Sequence, residues 1–304
     1  MNPKIGNLNQ ISTCYRFKAL GGKGDGQEML LMNNGVLTLL VNLSKAADIH
    51  QCLLEGKNVS FLTRNGLVAY DPDFLHRFPG GMVYTCGLDA IGGVEGHELH
   101  GLFHSIPAEV ISLKQNEEGI VLETKVEDSM MFGHRVIVYR TLTLKTGEAK
   151  FTLQDRLVNE GYEEQPYALL YHCNFGYPFL DEDSKILTEE TEAIARTPFA
   201  EHEFDKRHEM ESPVPSIEET CYFLKTKDGS ISLTSPSLNK KATVKSNLPN
   251  FVEWKCRRSG DYVVGLEPCT SYLDDRLVYQ TLQPGESKNY QLKISFETME
   301  ETKC

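Results

Sequence analysis

Apolar and polar positions alternate with a period of two along much of the chain, most cleanly near its end. Tyr290, Leu292, Ile294 and Phe296 alternate with Gln291, Lys293, Ser295 and Glu297. Successive side chains of a strand point to opposite faces, so this pattern predicts a strand with one face on a core and one in water. Phe151, Leu153, Asp155 and Leu157 against Thr152, Gln154 and Arg156 predict another, its apolar face interrupted by Asp155. Residues 119–126 and 136–144 predict two more. In the second, Arg140 falls on the face of Val136, Val138, Leu142 and Leu144. Strands around 28–33 and 35–42 are joined at Asn33-Asn34-Gly35, and Asn-Gly is a strong hairpin signal. Gln283-Pro284-Gly285-Glu286 suits a type II turn, with Pro presetting φ and Gly accepting the positive φ.

Two stretches depart from this pattern. Residues 72–107 are punctuated by Pro79-Gly80-Gly81, Gly87, Gly92-Gly93, Gly96 and Gly101 and predict a long irregular segment. Irregular segments of that length in compact domains are usually functional. Residues 181–220 carry Glu189-Glu190, Glu201, Glu209, Glu211 and Glu218-Glu219 and read as a solvated excursion. No repeat, heptad pattern or interdomain hinge is visible. The expectation is an all-β chain, a large antiparallel β-sandwich spanning residues 1–304 as one domain. The pattern leaves the oligomeric state open, because it does not assign strand edges.

Composition narrows the partners. The chain has 304 residues and a net charge of −12. Such a charge repels phosphate backbones and anionic lipid, so neither nucleic acid nor a membrane surface is expected. No apolar run approaches the ~20 residues of a membrane helix. Met1-Asn2-Pro3-Lys4-Ile5-Gly6 lacks the apolar core of a signal peptide, so a cytoplasmic protein is expected. Eight cysteines, Cys304 among them, form no Cys-x-x-Cys pair and are expected to be reduced, mostly buried thiols. No P-loop or Gly-x-Ser-x-Gly elbow occurs.

The candidate chemistry begins at His172. It follows the apolar run Tyr167-Ala168-Leu169-Leu170-Tyr171 and precedes Cys173-Asn174-Phe175-Gly176-Tyr177-Pro178, so the imidazole sits where a buried strand emerges. A core histidine satisfied by one hydrogen bond is the plain reading; a proton donor or acceptor near neutral pH is the functional one. Tyr262-Val263-Val264-Gly265-Leu266-Glu267-Pro268 places a carboxylate in a similar position, with Pro268 expected to stop the strand from continuing as a central ladder. A carboxylate facing an imidazole forms an acid–base pair that titrates jointly. His97, His100 and His104 have a spacing that would share one helical face and could bind zinc, but Gly96 and Gly101 argue against a helix there. Trp254, the only tryptophan, suits either a sugar face or a core.

Leu99-His100-Gly101, Tyr171-His172 and Gly265-Leu266-Glu267-Pro268 resemble, in order, the active-site motifs of the aldose 1-epimerase (galactose mutarotase) superfamily. Tyr84-Thr85-Cys86-Gly87-Leu88-Asp89 and Val252-Glu253-Trp254-Lys255 resemble a bacterial branch of mutarotase-like proteins. The resemblance implies a β-supersandwich that interconverts the α and β anomers of a sugar in an open cleft. It implies Glu267 as general base at the anomeric hydroxyl and His172 as general acid at the ring oxygen. His100 and Arg77 would hold the sugar, with Asn174 a further candidate. No metal, nucleotide or redox cofactor is implied. The sequence departs from the family at Leu102, where a second glycine often follows the first histidine, and no aspartate matches the one that grips sugar hydroxyls, although residues 181–220 could hold it. Lys255 and Arg257 share one strand face and could serve an anionic sugar or be ordinary surface charge. A non-catalytic carbohydrate-binding or sensing module on the same fold is the alternative.

Overall fold

The computed structural model describes residues 2–70 and 72–299. Cys304 lies outside them, and the other seven cysteines are free thiols. Among the described residues twenty-one strands, numbered in chain order, form three sheets. The first runs in sequence order through β1 (Thr13–Lys18), β2 (Glu28–Asn33), β3 (Leu37–Asn42), β4 (Asp48–Leu54) and β5 (Lys57–Asn58). The second has the order β13 (Ile186–Leu187), β16 (Ser230–Ser235), β17 (Lys240–Ser246), β21 (Ser287–Thr298), β10 (Lys150–Asn159), β9 (Arg135–Lys145), β8 (Gly119–Ser129) and β7 (Glu109–Asn116). The third has the order β14 (Glu190–Ala195), β15 (Thr220–Thr226), β18 (Asn250–Arg258), β19 (Asp261–Cys269), β11 (Gln165–His172) and β20 (Gln280–Leu282). To it β6 (Tyr84–Leu88) adds on β11, and β12 (Asn174–Phe175) on β19. The expected antiparallel all-β architecture is present, and the Asn34-Gly35 hairpin joins β2 to β3 as the turn chemistry predicts.

Alternation explains the core. Leu153, Leu157, Leu292, Ile294 and Phe296 of the second sheet meet Tyr167, Leu169, Tyr171, Val264 and Leu266 of the third in one apolar cluster, which also takes in Leu30, Leu39 and Val41 of the first. The opposite face of the third sheet is covered as well. Ala168, Leu170, Val252, Val263 and Cys269 pack there with Phe61, Phe74, Phe78 and Tyr84. β11 is thus buried on both faces, which is why it reads as a continuous apolar run rather than an alternating one.

The two charges that interrupted apolar faces meet each other. Arg140 on β9 lies directly opposite Asp155 on β10, and its Nη2 is 2.7 Å from Asp155 Oδ2. Its Nη1 donates to Asp48 Oδ1 at 2.7 Å and to the Ala46 carbonyl at 2.9 Å. Tyr171 donates its hydroxyl proton to Asp155, Thr85 donates to Asp48, and His104 Nδ1 lies 2.7 Å from the same carboxylate. This buried network joins all three sheets. Removing one partner from such a network strands the other charges in low dielectric, a cost of about 3–5 kcal/mol.

Three expectations change. Residues 72–107 hold a helical turn at Phe74–Arg77 and the strand β6, so the segment is less irregular than its glycines suggest. The acidic stretch 181–220 is not simply solvated: it supplies β13, the edge strand β14 and the short helix Pro198–His202. Pro268 does not stop its strand, because β19 continues to Cys269 between β18 and β11. The N–H groups of Leu266 and Thr270 point to the carbonyls of Cys173 and Leu169. The donor that proline lacks therefore falls on the β11 side, where the ladder is reduced to the single pair Leu170–Cys269. Among the described residues no helix is long and apolar enough to cross a membrane.

Candidate active site

Register places the candidate residues. Across the β18–β19 hairpin, Val252 lies opposite Glu267, Trp254 opposite Gly265, Cys256 opposite Val263 and Arg258 opposite Asp261. These pairs share the face on which Ala168, Leu170 and His172 emerge from β11. The face forms the floor of a cleft of about 640 Å3 whose lining includes His100, His172, Trp254 and Glu267.

His172 and Glu267 are both buried, and His172 Nδ1 lies 3.2 Å from Glu267 Oε1. Neither atom has an aligned hydrogen-bond partner among the described residues. Leaving such groups unsatisfied costs roughly 1–3 kcal/mol each, which folding alone does not explain. Burial pushes the His172 imidazole well below its ordinary range, helped by His100 beside it and opposed by the Asn174 amide. Burial raises the Glu267 carboxyl well above its ordinary range, helped by the Glu219 charge. Both shifts favour the neutral forms. His100 is held neutral by burial, its pKa lowered to about 4, while its Nδ1 donates to the Ile91 carbonyl at 3.1 Å.

Aromatic rings fix the imidazoles. Trp254 meets His172 edge-on at 5.1 Å between centroids, Phe78 lies 5.4 Å from His172, and Phe74 lies 4.8 Å from His100. The two histidine rings are 5.5 Å apart. Gly265 makes the floor possible: a Cβ there would lie 2.3 Å from Glu267 Oε1 and 3.1 Å from the Trp254 ring.

Three expected sugar ligands lie elsewhere. Asn174 is fully buried and donates both amide protons, to the carbonyls of Gly81 and His172, so it braces the backbone that carries the imidazole. Lys255 lies on the other face of β18, and its ammonium donates to the carbonyls of Lys206, Arg207 and Glu209. All three of its donors are used, which corrects the anionic-sugar role expected of it. Arg257, on the same face, lies 3.2 Å from Glu211. Arg77 is buried beneath the cleft, where it donates to the Pro72 carbonyl and lies 3.5 Å from Glu98, which also accepts from Phe74 N. It thereby fixes the turn that carries Phe74 and Phe78 onto the histidines. His97, His100 and His104 face Asp89, the Ile91 carbonyl and Asp48 respectively. They do not share a ligand site.

The cleft also contains residues that motif reading missed. Glu219 accepts from Trp254 Nε1 at 2.8 Å, and Arg196 lies 3.8 Å from Glu219 while forming two hydrogen bonds with Asp274. Glu219 stands directly before the apolar strand β15, the same strand-end signal that marked His172. At the far end lie Arg64, Arg258 and Asp261. Counting by twos from Trp254 along β18 reaches Arg258, whereas the contiguous motif stopped at Lys255 on the wrong face.

The model of a domain of unknown function, DUF4432, matches residues 24–296. The chain belongs to the DUF4432 family. Solved structures share this DUF4432 fold. A candidate aldose 1-epimerase from Klebsiella pneumoniae subsp. pneumoniae superposes with a TM-score of 0.85 at 20% identity, over 94% of this chain and 83% of that one. A galactose mutarotase-like protein from Clostridium acetobutylicum gives 0.71 at 14%, over 96% and 100%. A candidate aldose 1-epimerase from Escherichia coli K12 gives 0.65 at 15%, over 95% and 100%. At these identities the likeness establishes the fold, and this DUF4432 protein has the β-sandwich of the galactose mutarotase-like proteins.

Proposed function

We propose that this protein is an isomerase that interconverts the anomers of an aldose, with His172 and Glu267 as its acid–base pair. The observation that carries the reading is the contact between the two: a buried imidazole and a buried carboxyl 3.2 Å apart on the floor of a cleft, neither with an aligned partner.

A pair this close holds its protons jointly. With one proton it has two distributions, carboxylate with imidazolium and carboxylic acid with imidazole, and these are the two ends of one chemical step. In ring opening, the carboxylate takes the proton of the anomeric hydroxyl while the imidazolium protonates the ring oxygen. The bond from C1 to the ring oxygen breaks, C1 becomes a carbonyl, and the pair is left uncharged. Rotation about C1–C2 presents the other carbonyl face. Reclosure then reverses both transfers. Burial favours the uncharged distribution, which is the one the pair holds once the ring has opened. His100, with Nδ1 committed to the Ile91 carbonyl, offers Nε2 as an acceptor for a sugar hydroxyl. Trp254 and Phe61 provide apolar surface for the sugar ring.

The test is anomer exchange followed by NMR over a panel of neutral and charged aldoses. The isomerase speeds exchange of at least one of them. Saturable binding without faster exchange for any would identify a binding module instead.

A further inference from the structure

Resting on the reading of the cleft as an aldose site, we infer that it has a second subsite, formed by Arg64 and Arg258, that takes an anionic group on the end of the sugar remote from C1. Arg258 is exposed, lines the cleft, and among the described residues has no carboxylate within 4 Å and no side-chain hydrogen bond. Arg64 lines the same end. Its only ion pair among the described residues is a loose one, 3.5 Å to Asp261, with the arginine side chain 70% exposed. The two are brought together by the turn that ends β18. Arg258 lies opposite Asp261 in the hairpin, and Gly260 lies between them in the chain. A Cβ on Gly260 would lie 2.4 Å from Arg64 Nη2, so the absent side chain is what lets this guanidinium rest against the turn. Gly260 also has a φ of +89°, which favours glycine there on backbone grounds.

This end of the cleft carries the unbalanced positive charge. Arg196 is already neutralised by Asp274 and Glu219. The far end holds two guanidiniums against the one carboxylate of Asp261, in a protein whose net charge is −12. A local excess of positive charge on an acidic molecule selects anions near that spot. Spacing fits as well. The Glu267 carboxylate leans over Gly265, which lies opposite Trp254, and Arg258 is four residues further along β18, about 13 Å at a strand's rise per residue. That exceeds one pyranose ring, and an arginine side chain is long enough to span the remainder. A sugar with C1 at His172 and Glu267 would therefore present a carboxylate, sulfonate or phosphate at its other end to the guanidinium fork.

The experiment compares glucose with glucuronate, 6-deoxy-6-sulfoglucose and glucose 6-phosphate, which separates the three anion chemistries. Exchange is followed by NMR and binding by titration calorimetry, for the native chain and for the double variant Arg64→Ala/Arg258→Ala. At least one anionic sugar is expected to exceed glucose in kcat/KM and in affinity by about tenfold or more, with the excess shrinking as salt rises. In the double variant the ratio of anionic to neutral sugar falls towards one. Arg258→Glu is expected to reverse the preference, and an unchanged thermal midpoint in each variant establishes that it is folded. Equal or better handling of glucose, or a preference that survives the double variant, overturns the subsite. If no sugar exchanges faster, the isomerase reading fails, yet calorimetry still decides the subsite: weaker binding of the anion in the double variant supports it, and no binding of any anionic sugar refutes it.

Discussion

Gly265 and Glu267 compete for one small space. Two residues apart on the same face of β19, they can coexist only because Gly265 has no side chain, since its Cβ would lie 2.3 Å from the carboxylate. Gly265→Ala is therefore expected to swing Glu267 or Trp254 off its position. A reacting group displaced by about 1 Å loses on the order of 10²-fold in rate. Overpacking adds roughly 1–3 kcal/mol of destabilisation. Anomer-exchange rate and chemical denaturation of the variant measure the two effects separately. The short motif Gly265-Leu266-Glu267 thus has a physical reason: the glycine makes room for the acid. At this scale His172, Glu267 and His100 were legible, because each is an ionisable group interrupting an apolar or glycine-marked run. Arg77 and Asn174 were legible as conspicuous residues but not as supporting ones, since burial beneath a cleft depends on contacts far away in sequence.

At the scale of elements, one strand carries two different surfaces. β18 presents Val252, Trp254, Cys256 and Arg258 to the cleft, and Glu253, Lys255 and Arg257 to the segment 203–211 behind it. Lys255 ties that segment down through three backbone carbonyls. Lys255→Met leaves those carbonyls without their donor and removes a positive charge that interacts with buried Glu253, leaving His208 as its contact. The expected loss is about 2–4 kcal/mol in stability. Faster amide exchange is expected at 203–211, with KM changing by less than about threefold. A large rise in KM with unchanged stability would instead make Lys255 a ligand. The strand and its period were readable from sequence; which face looked into the cleft was not, because the charged face of Glu253, Lys255 and Arg257 is covered by an acidic stretch that is distant in the chain. Pro268 misled for a related reason. A proline ends a ladder only where a partner needs its missing donor, and that depends on the neighbouring strand.

For the whole molecule, the expectation of a large antiparallel sandwich agrees with the three sheets, because alternation is a local signal of a global arrangement. Arg140 and Asp155 looked like flaws in two apolar faces and are instead one buried network with Asp48, a match visible only once β9 and β10 are in register. Buried and partly buried histidines give the fold a pH dependence. His50 and His100 are each lowered to about 4 by burial, and His172 lies well below its ordinary range. Unfolding returns all three to about 6.5, so between pH 6.5 and 4 the unfolded chain binds protons that the folded chain refuses. The contribution of these histidines is therefore full above 6.5 and falls as the pH drops, by about 1.4 kcal/mol per pH unit for each such group. Glu267, raised by burial, contributes with the opposite sign above its unfolded value. Denaturation midpoints measured from pH 7 to 4 check the slope. His50→Gln is expected to flatten it, and an unchanged slope would remove His50 as a contributor.

The most direct measurement of the central claim is NMR anomer exchange for the native chain and Glu267→Gln, on the sugar the native chain handles best, with affinity measured in parallel. The amide keeps the shape of the side chain but cannot accept the anomeric proton as a carboxylate does. Exchange is predicted to slow by about 10²–10⁴-fold with binding within a few-fold of native. Native-like exchange in the variant would contradict the account, because Glu267 would then not be the base and its contact with His172 would be structural.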